Sequence, residues 1–191
     1  MVVVESNHML PYNAELVTAC INFQLDVDLV TAQIMIESNG NPWALNPEPL
    51  YRYFWDVKTN TPFRHIDATE IAFKRPPKDF PTLAGDSDQE WWCQQCSWGL
   101  MQVMGAVARE QGFSAPYLTQ LCDPAVNLGI GCRHLAKLIK WAKGNIEQAL
   151  AAYNGGKSGN AVHPFRNRSY ALKVLAAYKK LKDVNDTSIH S

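Results

Sequence analysis

An excess of charge of either sign is missing from this sequence. Its 18 lysines and arginines are balanced by 18 aspartates and glutamates. A protein that grips a nucleic-acid duplex usually shows a basic stripe, so this balance argues against nucleic acid as a partner. It argues equally against a strongly basic anchoring patch. Long apolar runs are also missing: nothing approaches the roughly 20 residues of a membrane-spanning helix. Met1-Val2-Val3-Val4 turns polar at once with Glu5, Ser6 and Asn7. This start has neither a basic n-region nor a sustained apolar h-region, so no secretory signal is read there. A substrate outside the cytoplasm would then need another delivery route. Internal repeats and low-complexity segments are absent, and no convincing series of strands emerges. What is present is a 47% hydrophobic chain of 191 residues with ordinary Gly and Pro content. That is enough for one globular domain over residues 1–191 with a real core, and hardly enough for two.

Cysteines are few and odd in number: Cys20, Cys93, Cys96, Cys122 and Cys132. Cys122 and Cys132 make poor disulfide partners if the segment between them is helical. Ten helical residues span roughly 15 Å, whereas bridged Cα atoms lie about 4.4–6.8 Å apart. Cys93-Gln94-Gln95-Cys96 is a C-x-x-C, and with Cys122, Cys132 or His134 it could hold a zinc ion. Reduced core or loop thiols, with one bridge at most, are the plainer reading.

Helical periodicity dominates the rest. Leu16, Val17, Cys20, Ile21 and Phe23 predict an amphipathic helix over 13–24. Asp26 is placed to cap a second helix over 27–37, stopped by Asn39-Gly40-Asn41-Pro42. From Pro47 to about Gln95 the chain is rich in proline and aromatics and poor in periodic runs, which predicts a large irregular excursion. Loops of that length in a compact domain are uncommon and often functional. Leu100, Val103 and Val107 suggest a helix from Trp98 to about Gln111. Asp123-Pro124 opens another to about Ala142, Ile146 to Tyr153 forms a short one, and a last runs over 168–181. The polar tail after Asp183 reads as frayed. The fold class is mainly α.

One acidic residue stands out on these helices. Val30, Gln33, Ile34 and Glu37 are three or four residues apart and share a face. A carboxyl on a core-facing stripe is costly unless neutral or well bonded. Glu37 also lies in the last turn, where the helix dipole disfavours negative charge. Both effects raise a carboxyl pKa, which suits a general acid. A solvent-facing glutamate at a fraying helix end is the plain alternative.

The residues around Glu37 favour the first reading. Glu37-Ser38-Asn39-Gly40-Asn41-Pro42-Trp43-Ala44 resembles the E-S-x-x-N-P-x-A signature of soluble lytic transglycosylases of the Slt type. Ser97-Trp98-Gly99-Leu100-Met101-Gln102-Val103-Met104 is similar to that family's G-L-M-Q motif, and Ala151-Ala152-Tyr153-Asn154-Gly155-Gly156 to its A-Y-N-x-G. Tyr170, in Arg168-Ser169-Tyr170-Ala171-Leu172-Lys173-Val174, falls where the family has its closing tyrosine. Four motifs in the family's order cover about Asn13 to Tyr178, except for the excursion.

The resemblance implies a lysozyme-like helical domain with a long insertion, about 47–96, between the first two motifs. It implies an enzyme cleaving the bond between N-acetylmuramic acid and N-acetylglucosamine in peptidoglycan. Glu37 would protonate the glycosidic oxygen with help from the 2-acetamido group. Glu37 would then take the proton of the muramic C6 hydroxyl, leaving a 1,6-anhydro end. Ser38, Ser97, Gly99, Met101, Gln102, Ala152, Tyr153 and Asn154 would contact or orient the glycan, and Tyr170 would steady Glu37. Bland alternatives stand beside these: core packing for Tyr153, a helix terminator for Asn154, a gap filler for Met101 and a packing role for Gln102. No metal or organic cofactor is implied, and the chain is expected to act as a monomer on glycan strands of the wall.

Two departures matter. The insertion carries Tyr51, Tyr53, Phe54, Trp55, Trp91 and Trp92, either as a wall or lid for sugar faces or as a satellite cluster that holds the loop down. Some family members have a glutamate four residues before the closing tyrosine, where this chain has Arg166. Similar long insertions occur in phage-encoded and prophage-like wall enzymes, which suggests a bacteriolytic, endolysin-type role. The rival readings are a goose-type hydrolase, with one of Glu48, Asp67, Glu70, Asp86, Asp88 or Glu90 positioning water, and a non-catalytic wall-binding or virion module.

Overall fold

A computed structural model describes residues 10–72, 75–157 and 166–189; the Met1–Val4 start lies outside them. The chain opens with α1 (Asn13–Phe23) and α2 (Val27–Glu37), followed by the short strand β1 (Leu45–Pro47). A hairpin of β2 (Trp55–Asp56) and β3 (Thr61–Pro62) precedes α3 (Ala68–Ala72) and α4 (Ser87–Gln94). Then come β4 (Cys96–Trp98), β5 (Val103–Met104), α5 (Gly105–Glu110) and a 3-10 turn at Leu118–Cys122. Three helices close the chain: α6 (Pro124–Trp141), α7 (Ile146–Gly155) and α8 (Arg168–Ile189). The fold is mainly α, as the periodicity predicts.

The predicted caps explain where the helices begin. The Asp26 side chain accepts from the backbone N–H of Asp28 at 2.8 Å and of Leu29 at 3.2 Å, Asp123 accepts from Val126 at 3.0 Å, and Asn145 from Gln148 at 2.9 Å. Each cap satisfies donors that a helix leaves orphaned, worth about 1 kcal/mol apiece. Helix α2 is more central than an amphipathic stripe implies, because every residue from Leu29 to Ile34 is buried. Its first two residues are partly exposed, and its last turn, with Met35 and Ile36, reaches the surface. Left-handed residues at Asn39 (φ 51°) and Gly40 (φ 77°) turn the chain away there, and Tyr12 donates to the Gly40 carbonyl at 2.9 Å.

The register between α2 and α8 is set at both ends. Asp26 accepts from the Tyr178 hydroxyl at 3.0 Å and pairs with Lys182 at 3.0 Å. At the other end Tyr170 donates to Glu37. The two helices therefore run antiparallel, and a rise of about 1.5 Å per residue keeps both contacts in register. Because Lys182 also pairs with Asp28 at 3.0 Å, α8 is held past the middle of its length. It continues to Ile189 instead of fraying after Asp183; extending a nucleated helix costs little even for a polar segment.

Three further expectations need correction. The predicted helix from Trp98 to Gln111 is instead strand β4, a tight turn, strand β5 and the short α5. Gly99 (φ 67°) and Gln102 (φ 45°) lie in the left-handed region, which no continuous right-handed helix allows. The three-residue spacing of Leu100 and Val103 imitates a helix, but both side chains reach the core from a loop and a strand. Buried Asn127 of α6 holds that loop. It accepts from the Met101 N–H at 2.8 Å and donates to the carbonyls of Trp98 (2.8 Å) and Leu121 (2.9 Å). Second, strands exist: an antiparallel sheet in the order β1-β4-β5 aligns Leu45 with Trp98 and Ser97 with Met104.

Third, the insertion is not wholly irregular. Besides its hairpin and two helices it holds a separate core of Phe54, Ile66, Phe80 and Trp91. The Phe54 and Trp91 rings stack 4.2 Å apart, and Phe80 meets both edge-on. An ion pair fastens this unit to α5. Buried Arg109 donates to both carboxylate oxygens of buried Glu90 at 2.8 Å and to the carbonyls of Phe113 (2.9 Å) and Ala115 (2.7 Å). Gln94 adds a bond to Glu90 at 2.9 Å and ties the amide and carbonyl of Trp55. Phe54 and Trp91 thus form the satellite cluster, not a sugar-facing wall.

Candidate active site

Glu37 ends α2 half-buried, facing a cleft. One Glu37 carboxylate oxygen accepts from the Tyr170 hydroxyl at 2.5 Å, and no cation is paired with Glu37 among the described residues. Burial pushes its carboxyl up from 4.5 to about 7, while the Tyr170 hydrogen bond pulls the other way. Near neutrality such a group both holds and releases a proton. Tyr170 itself is raised above the usual phenol range by burial and by the Glu37 charge, so it stays a hydrogen-bond donor.

Two chambers meet at Glu37. One, of about 790 Å³, is also lined by Asn46, Glu48, Tyr51, Ser97, Gln102, Tyr153 and Asn154. The other, of about 430 Å³, adds Ser169, Tyr170 and Lys173 from α8. Asn154 and Asn167 border both. A more apolar groove of about 710 Å³, lined by Leu10, Met35, Ala177 and Leu181, does not include Glu37.

The sequence-predicted residues divide into two groups. Glu37, Ser97, Gln102, Tyr153, Asn154 and Tyr170 line the chambers. Tyr153 points its hydroxyl at the Met101 carbonyl, 2.9 Å away, and burial with the Glu37 charge keeps that phenol protonated. Gln102 accepts from Ser97 at 2.9 Å and donates to the carbonyls of Ala44 (3.1 Å) and Gly99 (3.0 Å). That amide joins the segment after α2 to the turn after β4. Ser38, Gly99, Met101 and Ala152 are not brought into the lining. Ser38 donates to the Leu100 carbonyl at 2.8 Å. Gly99 lies against Asn127, whose amide nitrogen would sit 2.4 Å from an added Cβ. Met101 is buried, with its sulfur 3.9 Å from that of Cys132, and Ala152 packs in the small core of Leu138, Ala142 and Ala149.

Other cleft residues carry little sequence signal. Tyr51 and Glu48 arrive from the insertion, and Glu48 accepts from Asn46 at 2.7 Å. Asn167, with φ 59°, donates to Asn154 at 2.9 Å and lies over Gly155, where an added Cβ would meet it at 2.9 Å. An asparagine just before a helix that carries the closing tyrosine was the available clue. The cysteines are free thiols. No three His, Cys, Asp or Glu residues are grouped as a metal site among the described residues, and His134 instead packs its ring 5.1 Å from that of Tyr153.

A helical frame, a small sheet and one unpaired acid at the end of a central helix define a lysozyme-like domain. The chain belongs to the transglycosylase SLT domain family, whose sequence model matches residues 18–174. It also shares its fold with the lytic transglycosylase Slt of Pseudomonas aeruginosa, solved as an inactive mutant, with a TM-score of 0.56 and 19% identity. That match covers 92% of this chain but only 25% of the other.

Proposed function

We propose that this domain is a lytic transglycosylase that cleaves peptidoglycan glycan strands between N-acetylmuramic acid and N-acetylglucosamine. The Glu37–Tyr170 contact carries the reading: one carboxyl, poised near neutrality and paired with no cation among the described residues, borders both chambers. Protonated Glu37 gives its proton to the bridging oxygen as the bond from that oxygen to muramic C1 breaks, with the 2-acetamido group assisting. The resulting carboxylate takes the proton of the C6 hydroxyl as its oxygen bonds to C1. One bond breaks, one forms, and no water is consumed. Tyr153 and Asn154 orient the glycan, with Ser97 and Gln102 on the facing wall. Ser38, Gly99, Met101 and Ala152 shape the cleft from behind, Met101 through the carbonyl that holds Tyr153.

All of these groups come from one chain, which supports action as a monomer. The long insertion supports a bacteriolytic, phage- or prophage-related setting, with action at the cell wall. Glu48 sustains a second reading, a hydrolysing muramidase, because it brings another carboxylate to the cleft. Mass spectrometry of digested sacculi separates the two. The proposal predicts anhydro ends, lighter by one water than reducing ends, with wild type and none with Glu37→Gln. Reducing ends would establish the hydrolase, and equal turbidity loss with both proteins would end the assignment of Glu37.

A further inference from the structure

Gln33 lies on α2 one turn before Glu37, and it is fully buried. Neither its amide oxygen nor its amide nitrogen has a hydrogen-bond partner among the described residues. Its neighbours Val30, Ala32 and Ile34 are buried and apolar, so an apolar side chain would suit the site without leaving a polar group unpaired. A buried amide without partners costs stability. Its place is therefore better explained by what it faces. On the α8 side stands Tyr170, whose hydroxyl commits its proton to Glu37. A hydroxyl has one proton to give and lone pairs to receive, so the Tyr170 oxygen remains open to a donor. Gln33 is the donor at hand: it lies one turn before Glu37 on the same face of α2, close enough to draw the Tyr170 pKa down slightly against burial and the Glu37 charge. No hydrogen bond joins the two side chains in this structure.

We propose that Gln33 is a positioning residue that hydrogen-bonds the Tyr170 hydroxyl when Glu37 has given up its proton. The chain then runs from the Gln33 amide through the Tyr170 hydroxyl to the Glu37 carboxylate, each bond polarising the next. Gln33 is idle while Glu37 is neutral and engaged once Glu37 is ionised. An interaction made only in the charged state speeds the chemical step without tightening substrate binding. Besides Tyr170, the charged or titratable groups that line the chambers at Glu37 among the described residues are Tyr153 of α7, Lys173 of α8, and Glu48 and Tyr51 after β1, and Gln33→Met leaves all four in place.

The inference rests on Glu37 acting as acid and base. Gln33→Met keeps volume and helix preference while removing the amide. We expect kcat for muropeptide release to fall roughly 3- to 10-fold, the scale of one hydrogen bond, with KM unchanged. The alkaline limb of the pH profile should move upward, because ionised Glu37 has lost support, while the melting temperature holds or rises. In a Tyr170→Phe background the same change should have no further effect on kcat. An unchanged kcat and pH limb, or an equal drop in the Tyr170→Phe background, would overturn the inference. Gln33→Leu serves as the second variant should the methionine form not fold. If wild type releases no muropeptides, the enzymatic reading fails by itself, and the Glu37 carboxyl titration followed by carbon NMR decides the matter separately. A higher titration point in Gln33→Met than in wild type supports the Gln33 contact, and identical points refute it.

Discussion

Glu37 and Glu90 are both helix carboxylates drawn away from water, and the molecule treats them in opposite ways. Glu90, in the insertion, meets a guanidinium fork at 2.8 Å on both oxygens and a glutamine amide besides. Glu37, in the cleft, has a phenol for a partner and open space beyond. The paired acid has nothing left to offer a substrate and serves as a rivet between α4 and α5. The other keeps a labile proton because burial outweighs the Tyr170 hydrogen bond and no cation is paired with it among the described residues. A buried acid with its cation is scaffold, whereas one denied a cation is available for chemistry.

Substitutions sharpen this contrast, beginning with the largest effect. Glu37→Gln keeps the shape of the cleft but cannot donate an acid proton. Muropeptide release should fall by about 10²- to 10⁴-fold, the usual reach of general acid–base catalysis, while sacculus binding in a pelleting assay persists. Arg109→Ala does the reverse. It strands the Glu90 charge in the insertion and should cost about 3–5 kcal/mol in urea denaturation. Replacing both partners by apolar residues should recover most of that loss; if the double variant is as unstable as the single one, the pair is more than a rivet.

A stability difference of opposite sign is expected at Glu37. Its folded-state pKa, about 7, lies above the unfolded value of 4.5. Ionising it in the fold is therefore unfavourable, by about 3 kcal/mol at 1.36 kcal/mol per pKa. That penalty is absent below pH 4.5, grows between 4.5 and 7, and is complete above. Glu37→Gln should thus be more stable than wild type at pH 8 and equal to it at pH 4, as thermal unfolding at the two pH values would show. Equal stability at both would mean that Glu37 is well solvated. The smallest effect is expected for Tyr170→Phe. The lost hydrogen bond favoured the ionised carboxylate, so the alkaline limb of the rate profile should rise, by roughly one pH or less.

Much of this contrast was legible in the residues. Asp26 as a cap, the turn at Asn39-Gly40, Asp123-Pro124 and the Tyr170–Glu37 partnership all follow from local chemistry or motif order, and the structure contains each. The sheet was not legible, since strands of two or three residues are too short to show alternation. The turn before Gln102 was hidden because its apolar spacing is also a helical one, and the groups that hold it open, Asn127, Ser38 and Tyr153, come from far along the chain. The insertion concealed its division of labour. Phe54 and Trp91 anchor it while Tyr51 and Glu48 reach the cleft, and aromatic content alone does not tell these apart. Gln33 was visible as a neighbour of Glu37 on the helix, but its lack of partners is a tertiary fact.

The central claim is that burial without a cation keeps the Glu37 carboxyl protonated near neutral pH. Carbon NMR of protein labelled at the glutamate carboxyls, with Glu37→Gln used to assign the resonance, tests it most directly. A titration midpoint near 7 is predicted; a midpoint near 4.5 would contradict the account.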